Sequence, residues 1–333
     1  MCIAFWQLTS GSSLAGSKEK SSAPLSPNQP KFVLAFNRDE FLDRPTKLAH
    51  YWEFSPAVLA PLDLMPPREE DRGTWLGVSR DGRIAVLTNY RELNGPQPNM
   101  LSRGRLVRHF LESARDSAFA DVDAYAQHVL ADRDRYAGFN LLLFDVLKDC
   151  AVYVTNRGPS GGTTDSTAAT DDSQSPELQS PGYSRKLALN RVYGISNSTL
   201  DVEWPKVKKG KALVEQVLGN AASLKTMDND ELSNRLFEIL SNRNTDNGVD
   251  CPKKLRDLEH FICIPRISSS NPTFSINSDY ATRTAHVIIV NSDGKTNIYE
   301  RSLYPENEED IGPASGDDGS AVRKLELTIP GLA

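Results

Sequence analysis

The chain has 333 residues, of which 39% are hydrophobic and 25% are charged, and its net charge is −6. This composition is typical of a soluble globular protein, and no apolar run approaches the about 20 residues that a membrane span needs. The acidic balance, without a basic stripe, argues against nucleic acid as a partner. The four cysteines are scattered without paired spacing, which argues against a disulfide framework and a zinc site. We therefore predict no metal site.

The amino-terminal segment shows no targeting signal. It lacks both the basic region of a secretory signal and the Arg-rich character of a transit peptide. We expect a cytoplasmic protein whose contact with membranes, where it occurs, is peripheral. The sequence leaves the oligomeric state open.

Short strands dominate the predicted elements. In chain order they are residues 3–8, 32–37, 75–79, 84–89, 139–147, 151–156, 285–291, 296–301 and 324–329. Helical spacing predicts one helix pair after Ser102, taken as an N-cap, and at 122–130, and a second pair at 207–218 and 232–240. The strands are joined by turns too short for a parallel crossover. The order of hairpins and helix pairs predicts an α+β fold of antiparallel sheets with helices outside.

Three segments are predicted to be disordered inserts in a single domain that spans the whole chain. They cover residues 11–30, 158–183 and 306–320, and they are rich in Ser, Gly, Pro or acidic residues without a hydrophobic period. Such segments bury too little apolar surface to offset the entropy of ordering. Strand-like sequence lies on both sides of each, so we interpret them as loops and not as domain linkers.

Met1 is followed by Cys2, so removal of the first residue would leave a cysteine with a free α-amine. A free thiol titrates near about 8.5 and an α-amine near about 7.7–8. An amine beside a thiol can accept its proton, as in nucleophiles paired with an amino-terminal base. The pattern indicates a candidate nucleophile; the alternative is a second-position cysteine without a chemical role.

The predicted strand at 32–37 ends in the polar run Asn37, Arg38, Asp39 and Glu40, followed by Arg44. The hairpin with residues 3–8 places this run beside the first cysteine. A neighbouring guanidinium favours thiolate, and a carboxylate can orient an α-amine. All five residues are predicted to bind ligand. The alternative is a solvated strand end with surface ion pairs worth about 0–1 kcal/mol.

Asn89, Asn197 and Arg283 also stand at the ends of predicted strands. An asparagine there can donate its amide to a developing oxyanion, although forming a turn is its commonest use. By contrast, we interpret Trp75 as a packing aromatic and Lys206 as part of a solvated helix start.

Together these residues resemble the NRDE family, also called the transport and Golgi organisation protein 2 family. The matching motifs are MCI at the start, FVLAFNRDEFLDRP at 32–45, GTWLGV at 73–78, LTNYR at 87–91, SRG at 102–104, GFNLL at 138–142, SNS at 196–198, WPKV at 204–207 and TR at 282–283. The resemblance implies a fold like that of the N-terminal nucleophile hydrolases: a four-layer αββα sandwich of two antiparallel sheets flanked by helices. By analogy with related cysteine acylases, it implies a working set of Cys2, Arg38, Asp39, Asn89, Asn197 and Arg283.

The resemblance also implies a cytoplasmic factor in Golgi organisation and protein secretion, associated with the Golgi or mitochondria. No cofactor is expected; haem or acyl-coenzyme A is implied as a bound or carried ligand. We favour binding or trafficking of a lipid-like or haem-like small molecule at the rim formed by Cys2 and the NRDE run. The alternative is a cysteine amidase that cleaves a non-peptide C–N bond through an acyl-Cys2 intermediate, and fold alone does not decide between them.

Overall fold

The computed structural model describes residues 2–10, 29–92, 100–113, 117–119, 121–158, 182–219, 224, 226–243, 251–271, 274, 276–304 and 322–332. Almost all of the three predicted inserts lies outside these residues. At the edge of the second insert, Tyr183 is described and begins a strand.

One antiparallel sheet contains both ends of the described chain. Its strands are β1 (Ile3–Leu8), β2 (Pro30–Phe41), β10 (Tyr193–Ile195), β11 (Tyr280–Asn291), β12 (Lys295–Ser302) and β13 (Val322–Thr328). They are ordered β10-β1-β2-β11-β12-β13. The predicted pairing of the first two strands is confirmed, with Ile3 opposite Asn37. We refer to this as the first sheet.

The second sheet follows chain order without interruption. Its strands are β3 (Thr46–Trp52), β4 (Ser55–Asp63), β5 (Leu76–Ser79), β6 (Arg83–Asn89), β7 (Phe139–Asp145), β8 (Cys150–Thr155) and β9 (Tyr183–Lys186). The predicted tight turns are confirmed: Gly82 has a φ of +80° between β5 and β6, and Asp149 has a φ of +49° between β7 and β8. These left-handed conformations suit glycine and aspartate.

Two helix pairs cover the outer faces of the sheets. They are α1 (Gly104–Glu112) and α2 (Val122–Ala131) on the second sheet, and α3 (Pro205–Gly219) and α4 (Asn229–Leu240) on the first. Helix α4 begins after Asp228, whose side chain accepts from the Glu231 amide. The expectation that Ser102 caps α1 was wrong: Arg103 holds that position, and no side chain there makes a capping bond. None of the described helices has the length and apolar character needed to cross a membrane.

Three buried clusters lie between the four layers. The central one joins the facing sides of the sheets, where Phe32 packs on Phe144 with ring centres 4.9 Å apart. The other two lie between each sheet and its helices. Side chains alternate along a strand, so each strand of the first sheet contributes to the central cluster and to the helix-side cluster in turn. The predicted αββα sandwich of two antiparallel sheets is confirmed.

Candidate functional site

Cys2 lies at the mouth of the groove between the two sheets. It directly precedes β1 on the face that packs against the second sheet, and its side chain is 7% exposed. The register of β1 on β2 places it beside Arg38. Both residues line a pocket of about 740 Å³, and Asn89 at the end of β6 lines it from the other sheet. Three residues that the sequence predicted separately therefore meet at one cavity.

Arg38 lies over an aromatic ring of the pocket wall. Its guanidinium carbon is 4.0 Å from the ring centre of Trp75, a geometry that suits a cation over a π face. Glu40 lies 3.6 Å from its Nη2. Burial lowers the pKa of Arg38, and Glu40 opposes this effect. Trp75 therefore forms part of the site, and its interpretation as packing alone was incomplete.

Asp39 is on the opposite face of β2, towards the helices. Its Oδ1 accepts from the Thr282 hydroxyl at 2.6 Å, and that hydroxyl accepts from the amide of Ile264 at 2.7 Å. Burial raises the pKa of Asp39. Burial likewise raises the pKa of the Cys2 thiol, with the carboxylate of Asp39 acting in the same direction and Arg38 against it. The thiol at this position is therefore mostly protonated at neutral pH.

Lys206 is buried, although the sequence analysis interpreted it as part of a solvated helix start. It is 0% exposed and not solvated, and its Nζ has no hydrogen-bond partner within the described chain. The nearest aromatic is Trp204, whose ring centre is 5.8 Å from Nζ. Burial lowers the pKa of Lys206, whereas the charges of Asp39 and Cys2 raise it. A buried ammonium thus belongs to the electrostatic surroundings of the cysteine.

Asn197 lies behind Asn89 and does not reach into the pocket. Its Nδ2 donates to the backbone carbonyl of Asn89. The adjacent Ser196 hydroxyl donates to the carbonyl of Cys2 at 2.7 Å. Asn89 itself makes no side-chain hydrogen bond within the described residues, so its amide remains available to a ligand. Asn197 and Ser196 fix the backbone on both sides of the pocket.

Asn37 and Arg283 are buried in structural roles. The Asn37 amide donates to the carbonyls of Leu240 at 2.8 Å and Ile262 at 2.9 Å, so its donors are already engaged, and its contact with ligand stays a prediction. Arg283 occupies an irregularity of β11 where its pairing with β2 shifts, and it donates to the backbone carbonyl of Arg44. Both are 0% exposed. They support the strands behind the pocket.

Arg44 and Glu40 line the pocket, as predicted, but each already has charged partners. Arg44 donates to both carboxylate oxygens of Asp63, at 3.2 and 2.7 Å, a bidentate pair. Burial disfavours the charged form of Glu40, but Arg38 and Arg44 outweigh it and hold the pKa of Glu40 below its ordinary value. Neither residue is left free to neutralise a ligand.

The remaining pocket wall comes from residues that the sequence analysis did not select. Its apolar part includes Trp75, Leu87, Met100 and Leu101. Its basic part includes Arg103, within the SRG motif that carried the family resemblance. That motif was the one available signal for Arg103, because nothing in the local pattern shows which way it faces.

A polar network closes the groove behind Cys2. Asn140 Nδ2 donates to Thr88 Oγ1 at 3.1 Å and to the Ser198 carbonyl at 2.9 Å, and the Tyr153 hydroxyl donates to Asn140 Oδ1 at 2.6 Å. Thr88 in turn donates to the Ser196 carbonyl at 2.6 Å. The asparagine of β7 thereby ties the second sheet to the segment after β10.

The chain is similar in sequence to known proteins of one family. The family model "Transport and Golgi organisation 2" matches residues 1–305. The Transport and Golgi organization protein 2 homolog of Bos taurus is 32% identical over 286 residues, covering 84% of this chain and 89% of its own. The Homo sapiens homolog is 32% identical over 285 residues, with the same coverage of both chains.

Among solved structures, the C2A mutant of the conjugated bile acid hydrolase from Clostridium perfringens aligns with 98% of this chain and 97% of its own. Its sequence identity is 11% and the TM-score is 0.37, values too low to say anything about the chemistry of this chain. The family model and the two homologues establish the family of this chain. The chain belongs to the Transport and Golgi organisation 2 family.

Proposed function

We propose that the chain binds an amphipathic, lipid-like or haem-like small molecule in the pocket beside Cys2. The observation that carries this proposal is the pocket itself, with a volume of about 740 Å³ and a wall that combines apolar side chains with arginines. Binding sites for small molecules typically measure about 300–1,000 Å³, with apolar walls and a few placed polar groups. The volume lies within this range, and the wall is more highly charged than usual, with seven charged side chains beside its apolar residues.

The cellular role proposed with this binding is that of a cytoplasmic factor in Golgi organisation and protein secretion, which holds or carries its ligand. The support for this role is the family, whose name and whose Bos taurus and Homo sapiens members refer to transport and Golgi organisation. Among the described residues Arg103 of this wall has no ion pair, which fits a ligand that completes the site.

The binding proposal is tested by identifying small molecules that copurify with the protein. Leu101→Trp would fill the pocket from its wall, whereas Leu255→Trp adds the same ring at a side chain that is 56% exposed elsewhere. We expect a stoichiometric ligand, found by mass spectrometry, in the wild type and in Leu255→Trp and its loss in Leu101→Trp. Equal ligand content in both variants, with folding shown by circular dichroism, would contradict the proposal.

A second function, cysteine amidase activity, is favoured by one specific observation. The Cys2 thiol and the unengaged Asn89 amide line the same pocket, as a nucleophile and an oxyanion donor would. In this scheme the sulfur attacks the carbonyl carbon of an amide, and the α-amine exposed by loss of Met1 accepts the thiol proton. The C–N bond then breaks as that proton passes to the leaving amine, and water hydrolyses the acyl-Cys2 thioester.

In that reaction Asn89 would stabilise the oxyanion, a contribution typically worth about 2.7–4 kcal/mol. Arg38 would favour thiolate and Asp39 would orient the amine, while Asn197 and Arg283 would act through the backbone that they hold. The test is release of nitroaniline from a fatty-acyl nitroanilide by wild type, Cys2→Ala and a Cys251→Ala control. Activity that survives Cys2→Ala, or intact mass showing Met1 retained on the active protein, would exclude this mechanism.

A further inference from the structure

The pocket wall has one more positive charge than its negative charges can neutralise. Four arginines and three carboxylates line it. Arg44 pairs with Asp63, and Arg105 pairs with Asp71 at 2.8 Å. Arg38 faces Glu40, but at 3.6 Å the two atoms are beyond hydrogen-bond distance.

Arg103 is the cation of this wall that has no carboxylate. Its Nη1 donates to the Gly138 carbonyl at 2.9 Å, and it makes no ion pair with any described residue. Burial lowers the pKa of Arg103, while Glu92 and Glu40 act in the opposite direction. A partly desolvated guanidinium with free N–H groups is a ready donor to an anion.

Two buried donors on the same wall also lack acceptors among the described residues. Arg38 is 3% exposed and its Nη1 has no hydrogen-bond partner there, and the indole Nε1 of Trp75 is likewise buried without one. Leaving a buried donor unsatisfied destabilises the folded protein. Native structures keep such groups rare, so this wall holds donors that the described residues leave unsatisfied.

The amino end of α1 closes this part of the pocket. Ser102, Arg103, Gly104 and Arg105 all line it, and the first turn of the helix has no acidic residue and no side-chain cap. The partial positive charge at a helix amino terminus favours an anion at that point. The helix is fixed to the wall because the Thr74 amide, next to Trp75, donates to the Gly104 carbonyl at 3.2 Å.

We propose that Arg38, Arg103 and the amino end of α1 form a binding site for the anionic group of the ligand, a carboxylate or a phosphate. This inference rests on the proposed binding function and adds a chemical class to it. The ligand then lies with its charged end against this wall and its apolar part along Leu87, Met100 and Leu101. Arg44, which the sequence analysis predicted to bind ligand, is committed to Asp63.

The test uses calorimetry with three twelve-carbon probes below their micelle concentrations: dodecanoate, dodecyl phosphate and dodecanol. We expect both anionic probes, or one of them, to bind about tenfold more tightly than dodecanol, since hydrogen bonds to charged groups are stronger than those between neutral groups. The comparison between the carboxylate and the phosphate identifies which group the site prefers.

Arg103→Gln is expected to abolish the preference for anionic probes and leave dodecanol binding unchanged. The matched control is Arg108→Gln, which removes an equal charge from the same helix at a position that pairs with Glu112 and does not line the pocket. Equal losses in the two variants would mean that net charge alone attracts the anion, and would overturn the assignment to Arg103.

The experiments distinguish failure of the anion site from failure of the proposed binding function. If dodecanol binds as tightly as the anionic probes in the wild type, the anion site is wrong and the binding function stands. If no probe binds and no small molecule copurifies, the binding function itself fails. Should Arg103→Gln not fold, the wild-type comparison of dodecanoate, dodecyl phosphate and dodecanol still decides whether the site prefers an anion.

Discussion

The guanidinium of Arg38 lies over the indole of Trp75 across the groove, with the guanidinium carbon 4.0 Å from the ring centre. One residue belongs to the first sheet and the other directly precedes β5 of the second. Their contact joins the two sheets at the point where the cavity opens.

Arg38→Lys is expected to weaken binding of an anionic probe by about tenfold, because cation–π contacts and planar guanidinium bonds together contribute about 1–2 kcal/mol at desolvated sites. Calorimetry with dodecanoate measures the effect. Arg191→Lys is the control, since Arg191 also stacks on an aromatic ring, that of Tyr193 at 5.3 Å, outside this pocket. An unchanged affinity in Arg38→Lys would show that Arg38 takes no part in recognition.

The thiol of Cys2 is expected to react slowly with iodoacetamide at pH 7 and faster as the pH rises above about 8.5. Burial raises its pKa, so the reactive thiolate is scarce until higher pH. Because the pKa of this thiol is higher in the folded protein than in the unfolded chain, its contribution to the free energy of unfolding is complete below a pH of about 8.5. That contribution is lost as the pH rises through the pKa of the folded protein. Peptide mass spectrometry gives the rate at each cysteine.

Two other cysteines calibrate this measurement. Cys251 is exposed and should react fastest, whereas burial raises the pKa of Cys150 to about 11 and should make it slow at pH 8. A Cys2 rate at pH 7 equal to that of Cys251 would contradict the protonated state assigned to the buried thiol.

Asn140→Ala is expected to lower the free energy of unfolding by about 2–4 kcal/mol, because it leaves several buried polar groups without partners. Tyr153→Phe removes a single hydroxyl from the same network and should cost about 1 kcal/mol. Urea denaturation compares the two variants. If Asn140→Ala cost no more than Tyr153→Phe, the network would not tie the sheets together as described.

Gly73→Ala is expected to impair ligand binding through the position of α1. A Cβ added at Gly73 would lie 2.2 Å from the carbonyl carbon of Gly104, too close for α1 to stay in place beside Arg103 and Trp75. Gly219→Ala serves as control, because a Cβ there meets nothing within 4 Å and alanine favours a helix by about 0.5–1 kcal/mol. Binding by calorimetry and thermal unfolding together distinguish displacement of the wall from global unfolding.

The double variant Asp39→Asn/Lys206→Met is expected to be at least as stable as wild type, and more stable than either single variant. Each single change leaves the other group buried with one fewer opposite charge near it, whereas replacing both partners is often neutral or stabilising. A double-mutant cycle in urea measures the coupling. Additive effects of the two changes would show that the two charges do not interact.

Local patterns predicted the hairpins and helices because turn chemistry and hydrophobic period are properties of neighbouring residues. The pair β3 and β4 was missed, since β4 contains Pro56 and Pro61, which argue against a strand. The structure accommodates Pro61 where the register between the two strands shifts. A bulge of this kind depends on the partner strand and leaves no signal in the segment itself.

The sequence predicted those site residues whose position follows from the hairpin of β1 and β2. It missed those whose position depends on packing between elements that are distant in the chain. Lys206 could have been found, because Lys206, Gly210, Val214 and Leu218 recur every four residues on one buried face of α3. The lysine-rich composition of the segment concealed this period. Arg103 could not be placed, since its direction depends on the close contact of Gly73 with Gly104.

Strand β2 presents Arg38 to the cavity and Asp39 to the helices, on consecutive positions of one extended segment. An insertion or deletion of a single residue between Phe32 and Arg38 would reverse these directions for everything that follows it. The carboxylate of Asp39 would then point into the cavity, and the guanidinium of Arg38 would point towards α4. The number of residues in this strand is therefore as strictly constrained as their identity.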